Sequence, residues 1–259
     1  MDLFKPAHLY NIKIPRLLRK SFCLARRISD FKYNSHFKRT YNYLTEIHNE
    51  YRGKRCFVTG MGPSLDKTNF KSIQKDFFIV SNNFYEGQDR FKVNPQFTVV
   101  ADDAVLKEHY CNLLDQNNIL FLTEDAARNF LKYELIYKTM RPKKSNNIVI
   151  VKPLGNMDTF KTLSKDLRKG AYGGNVIFSC LQVAFHMGFK EVYLLGCDCT
   201  FKKGVHFKDS WGYGHITSNW EPTFKKYEIC KKIFEKNGRK IYNATVGGDL
   251  EVFERRQIE

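Results

Sequence analysis

Short apolar runs recur along this chain at intervals that strands need, and the stretches between them carry helical periodicity. Cys56–Thr59, Asp76–Ser81, Gln96–Ala101, Ile119–Thr123, Asn147–Val151, Glu191–Leu195 and Arg239–Asn243 are β-type runs rich in Val, Ile, Phe and Tyr. Between them, Ala104–Leu114, Glu124–Tyr133 and Val176–Met187 have helical length and apolar content. Strands separated by helical stretches predict an α/β, Rossmann-like domain: a mostly parallel sheet with helices on both faces.

Two glycine-bearing turns stand out against this pattern. After the first strand, Gly60, Met61, Gly62 and Pro63 stop the β run, and Ser64 is placed to cap a turn or helix beyond them. Such a turn at the carboxyl end of a strand lets backbone N–H groups approach a phosphate closely. The second turn, Gly173 and Gly174, leads into Asn175, a helix N-cap type, ahead of Val176–Met187, which Gly188 ends. It is the candidate partner of the first turn around an anion, while His186, inside the helix, reads as structural. Polar residues also recur just past the strand ends: Asn82, Asn83, Asp102, Asp103, Asp198, Asn243 and Thr245. In a doubly wound sheet those ends share one edge, so these residues are candidates for a single cleft. Asn and Asp favour turns for local reasons as well.

Charge changes the picture at the N-terminus. The chain of 259 residues carries a formal +16. Residues 1–54 hold 12 Lys and Arg against 4 Asp and Glu. This divides the chain into a basic helical appendage, 1–54, and a Rossmann-like domain, 55–259. Within the appendage, Arg16–Phe31 places Leu17, Leu18, Phe22, Leu24, Ala25, Ile28 and Phe31 on one half of a helical wheel and Arg16, Arg19, Arg26 and Arg27 on the other. A helix of that kind suits either the domain's own surface or an anionic membrane face. No run reaches the roughly 20 apolar residues of a membrane span, and no secretory h-region is visible. Seven scattered cysteines, an odd number, favour reduced thiols. Together these features predict a cytoplasmic location, with any membrane contact peripheral. Aromatics interleave with lysines near residue 35, but no nucleic-acid-binding module is visible.

The turn VTGMGPSL, the segment GGNVIFSCLQVAFHMGFKEVYLLGCD and the tail CKKIFEKNGRKIYNATVGGDLEVF resemble the bacterial family of unknown function 115. That family includes archaeal 6-hydroxymethylpterin pyrophosphokinase-like proteins and members from surface-polysaccharide gene clusters. It is similar in turn to the family-42 sialyltransferases of Campylobacter, whose GNGPSL turn, CNQF strand end and GYKEIYLSGID segment resemble GMGPSL, SNNF and GFKEVYLLGCD here. The resemblance covers about 51–253. It implies that Gly60, Gly62, Pro63, Ser64, Asn82 and Asp102 hold a cytidine nucleotide. Met61 stands where that pattern has asparagine, so Asn83 or Asn175 is left to supply the missing contact. Tyrosines after the corresponding segment steady the leaving phosphate in the sialyltransferases, and the resemblance leaves that role here to Thr200, Lys202, Lys203 or Tyr213.

Transfer of a sugar with inversion needs a base for the acceptor hydroxyl, and histidine suits that role near neutral pH. His206 and His215 lie in the polar loop after Asp198. The sialyltransferase pattern fits His215, the wider family His206, and the choice stays open. The expected function is therefore a glycosyltransferase of surface polysaccharide or lipooligosaccharide synthesis, sialyltransferase-like, using a CMP-activated sugar without a metal cofactor. Its partners would be the nucleotide-sugar donor and a saccharide acceptor, lipid-linked or not, with 16–31 at an anionic membrane surface, and a homo-oligomer is left open. The alternatives are an ATP- and magnesium-dependent pyrophosphokinase, with Asp102, Asp103 and Asp198 as metal ligands, and a noncatalytic nucleotide-binding assembly protein.

Overall fold

In a computed structural model of the protein, residues 38–137, 147–155, 162–200 and 220–258 are described. The helix expected over 16–31 and the loop carrying His206 and His215 lie outside them. The order of elements is a helix over 38–46 (α1), β1 (Arg55–Thr59), β2 (Phe77–Ser81), β3 (Phe97–Val100), α2 (Asp103–Asp115), β4 (Ile119–Leu122), α3 (Glu124–Tyr137) and β5 (Ile148–Ile150). Then come β6 (Pro153–Gly155), β7 (Ala171–Tyr172), α4 (Val176–Met187), β8 (Glu191–Leu195), α5 (Glu221–Lys236), β9 (Lys240–Asn243) and β10 (Glu254–Arg255).

Eight strands form one sheet in the order β10-β9-β8-β1-β2-β3-β4-β5, every neighbouring pair parallel. All seven expected strands are present, each within one or two residues of its sequence bounds. The additions are β10 and the separate β6–β7 ladder, two or three residues per strand and too short to leave a periodic signal. Strand order runs outward from β1 in one direction and from β8 in the other. Their shared boundary is the sheet's topological switch point, where an open α/β sheet forms a crevice.

Both faces of the sheet are covered. Cys56, Val58, Val99, Phe121, Val192 and Leu194 pack in one cluster with α4. On the opposite face Phe57, Phe78 and Tyr193 meet Leu65, Phe70 and Phe91, while Leu120 and Leu122 meet Leu106, Leu113 and Phe130 of α2 and α3. Every residue of α4 from Ile177 to Met187 is buried. That all-round burial explains its uniform apolarity and leaves its polar members to be satisfied internally. Gln182 does so by taking the N–H groups of Ser164 and Tyr172 and donating back to Tyr172 O.

Residues 38–54, assigned by charge to the appendage, pack into the domain. Leu44 and Ile47 belong to the main core, and Thr40 Oγ1 accepts from Ile150 N, at 3.1 Å, on the outermost strand. Among the described residues no helix is long and apolar enough to cross a membrane.

Candidate functional site

The switch point is built by glycines. Gly60 follows β1 and Gly196 follows β8, and the two loops touch so closely that a Cβ on Gly60 would strike Gly196 O. Gly60 N donates to Leu195 O at 2.7 Å and Gly62 N to Gly196 O at 2.9 Å. The sequence suggests that these N–H groups face a phosphate. Instead they lock the two loops together, and the glycines serve the close approach of backbone to backbone.

Beyond this seam opens a cavity of about 600 Å³, lined by the carboxyl ends of β1, β2, β3, β4 and β8, the N-terminus of α4 and the start of α5. Of the sequence candidates, Gly60, Met61, Gly62, Asn82, Asp102, Gly174, Asn175, Asp198 and Thr200 line it. Pro63, Ser64, Asn83 and Gly173 do not. Ser64 lies one layer back, its Oγ donating to Asp198 Oδ2 at 2.8 Å. The Asn83 amide turns away toward Glu86 and His109. Asn243 and Thr245, two of the strand-end residues, stay outside the cavity: Asn243 Nδ2 donates to Leu250 O and Thr245 N to Asn243 Oδ1, while Thr245 Oγ1 accepts Cys197 N and donates to Leu194 O, tying this turn to the end of β8. They line a second groove of about 500 Å³ with Lys67, Arg255 and Arg256. The Thr245–Asp249 turn braces the site from outside it, since Asp249 N donates to Asp198 O at 2.8 Å. Arg255 in turn donates to the carbonyls of Thr245, Gly247 and Gly248.

Three of the five described left-handed non-glycine residues lie on the cavity wall. Asn82, Glu124 and Cys199 hold φ of 52°, 51° and 48°, a left-handed conformation that costs a non-glycine residue about 1–3 kcal/mol and persists at sites where function holds it. All three line the cavity. Ser81 Oγ, Asn82 Oδ1 and Asp103 Oδ1 are buried there with no hydrogen-bond partner among the described residues. Buried polar atoms without partners are rare in folded proteins and call for an explanation such as a catalytic role, a water or an ion; Thr59 Oγ1 and Asn118 Oδ1 are further cases outside the lining.

Glu124 is a site residue that the sequence does not single out. It sits directly after β4, where its Oε1 accepts from Gly174 N at 3.1 Å and from Ser179 Oγ at 3.2 Å. Burial raises its pKa to about 7, against the lowering effect of those two bonds. Asp198 is also raised, by burial, with the Ser64 hydroxyl and N–H opposing. The other lining carboxylates are engaged locally. Asp102 caps α2 through Ala104 N, Asp103 Oδ2 accepts from Tyr133, and Asp125 pairs with Arg128 at the surface. Among the described lining residues there is no Lys or Arg, in a chain of +16. At the far end, Asn175 caps α4 through Phe178 N and its amide reaches Tyr227 Oη at 3.4 Å. Trp220 and Tyr227 give that end aromatic walls.

Comparison with known proteins gives three findings. A family model described as 6-hydroxymethylpterin diphosphokinase MptE-like matches residues 31–204. No curated protein matches the chain. Among solved structures, the sialyltransferase CstII from Campylobacter jejuni, described in complex with a substrate analogue, cytidine-5'-monophosphate, aligns over 79% of this chain and 85% of its own at 16% identity and TM-score 0.49. MAf glycosyltransferase from Magnetospirillum magneticum AMB-1 aligns over 85% of this chain and 38% of its own, at 12% identity and TM-score 0.47. Neither likeness says what this chain binds.

Proposed function

This chain belongs to the 6-hydroxymethylpterin diphosphokinase MptE-like family, and we propose that it is a nucleotide-dependent transferase that moves a group from a nucleotide donor to an acceptor hydroxyl in the switch-point cavity. The observation that carries this reading is that left-handed backbone at Asn82, Glu124 and Cys199 and buried, unpartnered oxygens of Ser81, Asn82 and Asp103 share the wall of that one cavity. Diphosphoryl transfer and glycosyl transfer share the same requirement, a hydroxyl made nucleophilic beside an activated centre.

Between the two, the donor we favour is a nucleotide sugar of the CMP type. A nucleoside triphosphate brings about four negative charges, and the described lining answers with carboxylates, amides and hydroxyls but no cation. A monophosphate-linked sugar asks for less neutralisation. The family's diphosphokinase name supports a second reading, ATP with magnesium, in which Asp102, Asp103 and Asp198 would hold the metal. The acceptor would be a saccharide of surface-polysaccharide or lipooligosaccharide synthesis, and residues 16–31 would bring the enzyme to the inner membrane face.

Thermal unfolding with CMP, CTP, UDP, GDP and ATP, each with magnesium and with EDTA, tests the assignment. At a hundredfold excess over Kd a ligand adds about 2.7 kcal/mol of stability, a rise of roughly 5–10 °C for a domain of this size. The expected result is a rise with CMP or CTP that survives EDTA. A rise confined to ATP with magnesium replaces the sugar-transfer reading with the diphosphokinase one, and no rise with any nucleotide contradicts both.

A further inference from the structure

Within the transferase reading, we infer that Glu124 is the catalytic residue that takes the proton from the acceptor hydroxyl.

Geometry puts a carboxylate in the cavity with one oxygen fixed and one available. Oε1 receives Gly174 N and Ser179 Oγ, and Ser179 Oγ itself receives Thr123 Oγ1 at 3.1 Å. The Thr123–Ser179–Glu124 chain of donors is internal, Thr123 and Ser179 being fully buried. It fixes the side chain by a second layer of contacts, as a reacting group needs. No described residue donates to Oε2. The left-handed backbone at Glu124 delivers the side chain into the cavity from the first position of α3, where an ordinary helical start places acids toward solvent, as it does for the exposed Asp125 beside it.

Of the other described lining groups, Asp102 and Asp125 are held by α2's first turn and by Arg128. Asp103 takes Tyr133 on Oδ2, and its Oδ1 is buried without a partner among the described residues, but no second layer of donors fixes it as Ser179 and Thr123 fix Glu124. Asp198, also raised by burial, takes the Ser64 hydroxyl on Oδ2 and has that oxygen packed against Gly62 at the seam, not turned toward the open cavity. Burial raises the Cys199 thiol to about 12 and pushes Cys197 and the Tyr227 phenol well above their usual values, so none of them ionises near neutrality. Charged groups acting on Glu124 are Asp125 and Arg128, which oppose one another; α4 presents no charged group to it, only Gly174 N–H and Ser179. Its own raised pKa, about 7, matches proton transfer at working pH.

In the step itself, the acceptor O–H breaks and its proton goes to Glu124. The freed oxygen pair forms the bond to the donor's anomeric carbon. The bond from that carbon to the phosphate oxygen breaks, and its electron pair leaves on the nucleotide. The proton then passes to solvent.

Glu124→Gln keeps the volume and an oxygen to receive Gly174 and Ser179, so the fold and the cavity should persist. The test measures CMP release from CMP-N-acetylneuraminate, to water and to added lactose, and in parallel turnover of ATP and magnesium with 6-hydroxymethylpterin, across pH 5 to 9. The wild-type rate should rise with pH through about 7 to a plateau. Glu124→Gln should lose about 10²–10³-fold in kcat with little change in KM, should lack the rise near 7, and should keep the thermal shift with CMP. Glu124→Asp should recover part of the rate together with a pH-dependent limb. Folding is read separately. A carboxyl whose folded pKa is raised contributes stability that is present below about 4.5 and lost as pH rises through about 7. Glu124→Gln should therefore melt higher than wild type at pH 8. If the limb survives in Glu124→Gln and disappears in His206→Ala or His215→Ala, the proton goes to histidine and the inference is overturned. If the variant loses the CMP shift along with turnover, Glu124 binds rather than reacts. Absence of both turnover and nucleotide binding in the wild type overturns the transferase reading, and this assignment with it.

Discussion

Gly62→Ala is expected to abolish nucleotide binding and to destabilise the protein by about 1–3 kcal/mol, the usual cost of forcing extra volume into a close-packed site. The backbone at Gly62 is not the obstacle, since its φ of −68° suits any residue. The obstacle is steric. A Cβ there would overlap Asp198 Oδ2 and lie 2.7 Å from Gly196 O and 2.8 Å from Asp198 Cγ. To accommodate it, the loop after β8 must retreat, taking Asp198 away from Ser64 Oγ and opening the seam that Gly62 N and Gly196 O close. Both effects fall on the cavity floor, so the shift in melting temperature produced by CMP should vanish even at temperatures where the variant is folded. Urea denaturation gives the stability change, and the nucleotide-dependent melt gives the loss of binding. A variant that still binds CMP normally would place the nucleotide elsewhere.

His186→Ala should cost still more, about 3–5 kcal/mol, and should change the response to acid. The imidazole is fully buried. Its Nε2 donates to Leu44 O at 2.7 Å and its Nδ1 accepts Leu167 N at 3.2 Å, tying α1 and the segment before β7 to α4. Truncation leaves a carbonyl and an N–H unpaired in the interior, at about 1–3 kcal/mol each, beside a cavity. These two bonds admit only the neutral ring. His48 Nδ1, 3.4 Å away, then donates to the same Nδ1, and Asn49 Nδ2 donates to His48 Nε2. Burial lowers the His186 pKa to about 4, against a usual 6.5, with nearby His48 and Arg168 pushing the same way and Asp166 opposing. Between those values the unfolded chain binds the proton and the folded one does not, so stability is intact above about 6.5 and falls by about 3 kcal/mol as pH drops toward 4. Unfolding free energies from pH 7 to 4 should show that loss in the wild type and a shallower slope in His186→Ala. The same bonds explain why His48, Asp166 and His186, whose ligand atoms lie within 4.8 Å of one another, form a structural cluster. The Nδ1 of His186 already faces donors, and both Asp166 oxygens take Arg168.

The strands and the glycine turn are legible in the sequence because both signals are local. A run such as Phe97–Val100 is apolar whatever surrounds it, and Gly60-Met61-Gly62-Pro63 stops a strand wherever it occurs. Asn82 and Asp102 are legible for the same reason: a polar residue one step past a strand end falls on the sheet's carboxyl edge. The features that stay hidden depend on partners far along the chain. Glu124 reads as an acid in a helix's first turn, where the helix dipole alone accounts for it. Only its left-handed φ and the donors Gly174 and Ser179, fifty and fifty-five positions later, turn it into a cavity wall. Ser64 and Asn83 sit at positions that look identical to lining residues, and Asp198 and His109 decide where their side chains go. The use of the Gly60 and Gly62 N–H groups likewise depends on which strand lies beside β1. Adjacency of β8 is a property of the topology and leaves no mark on the turn.

Amide hydrogen exchange with and without saturating CMP tests the central claim most directly, that the nucleotide occupies the switch-point cavity. Slowed exchange should appear in peptides covering 60–65, 81–84, 174–178 and 196–200, with residues 243–258 unchanged. Protection confined to the groove of Lys67, Arg255 and Arg256, or none at concentrations that stabilise the protein, would contradict it.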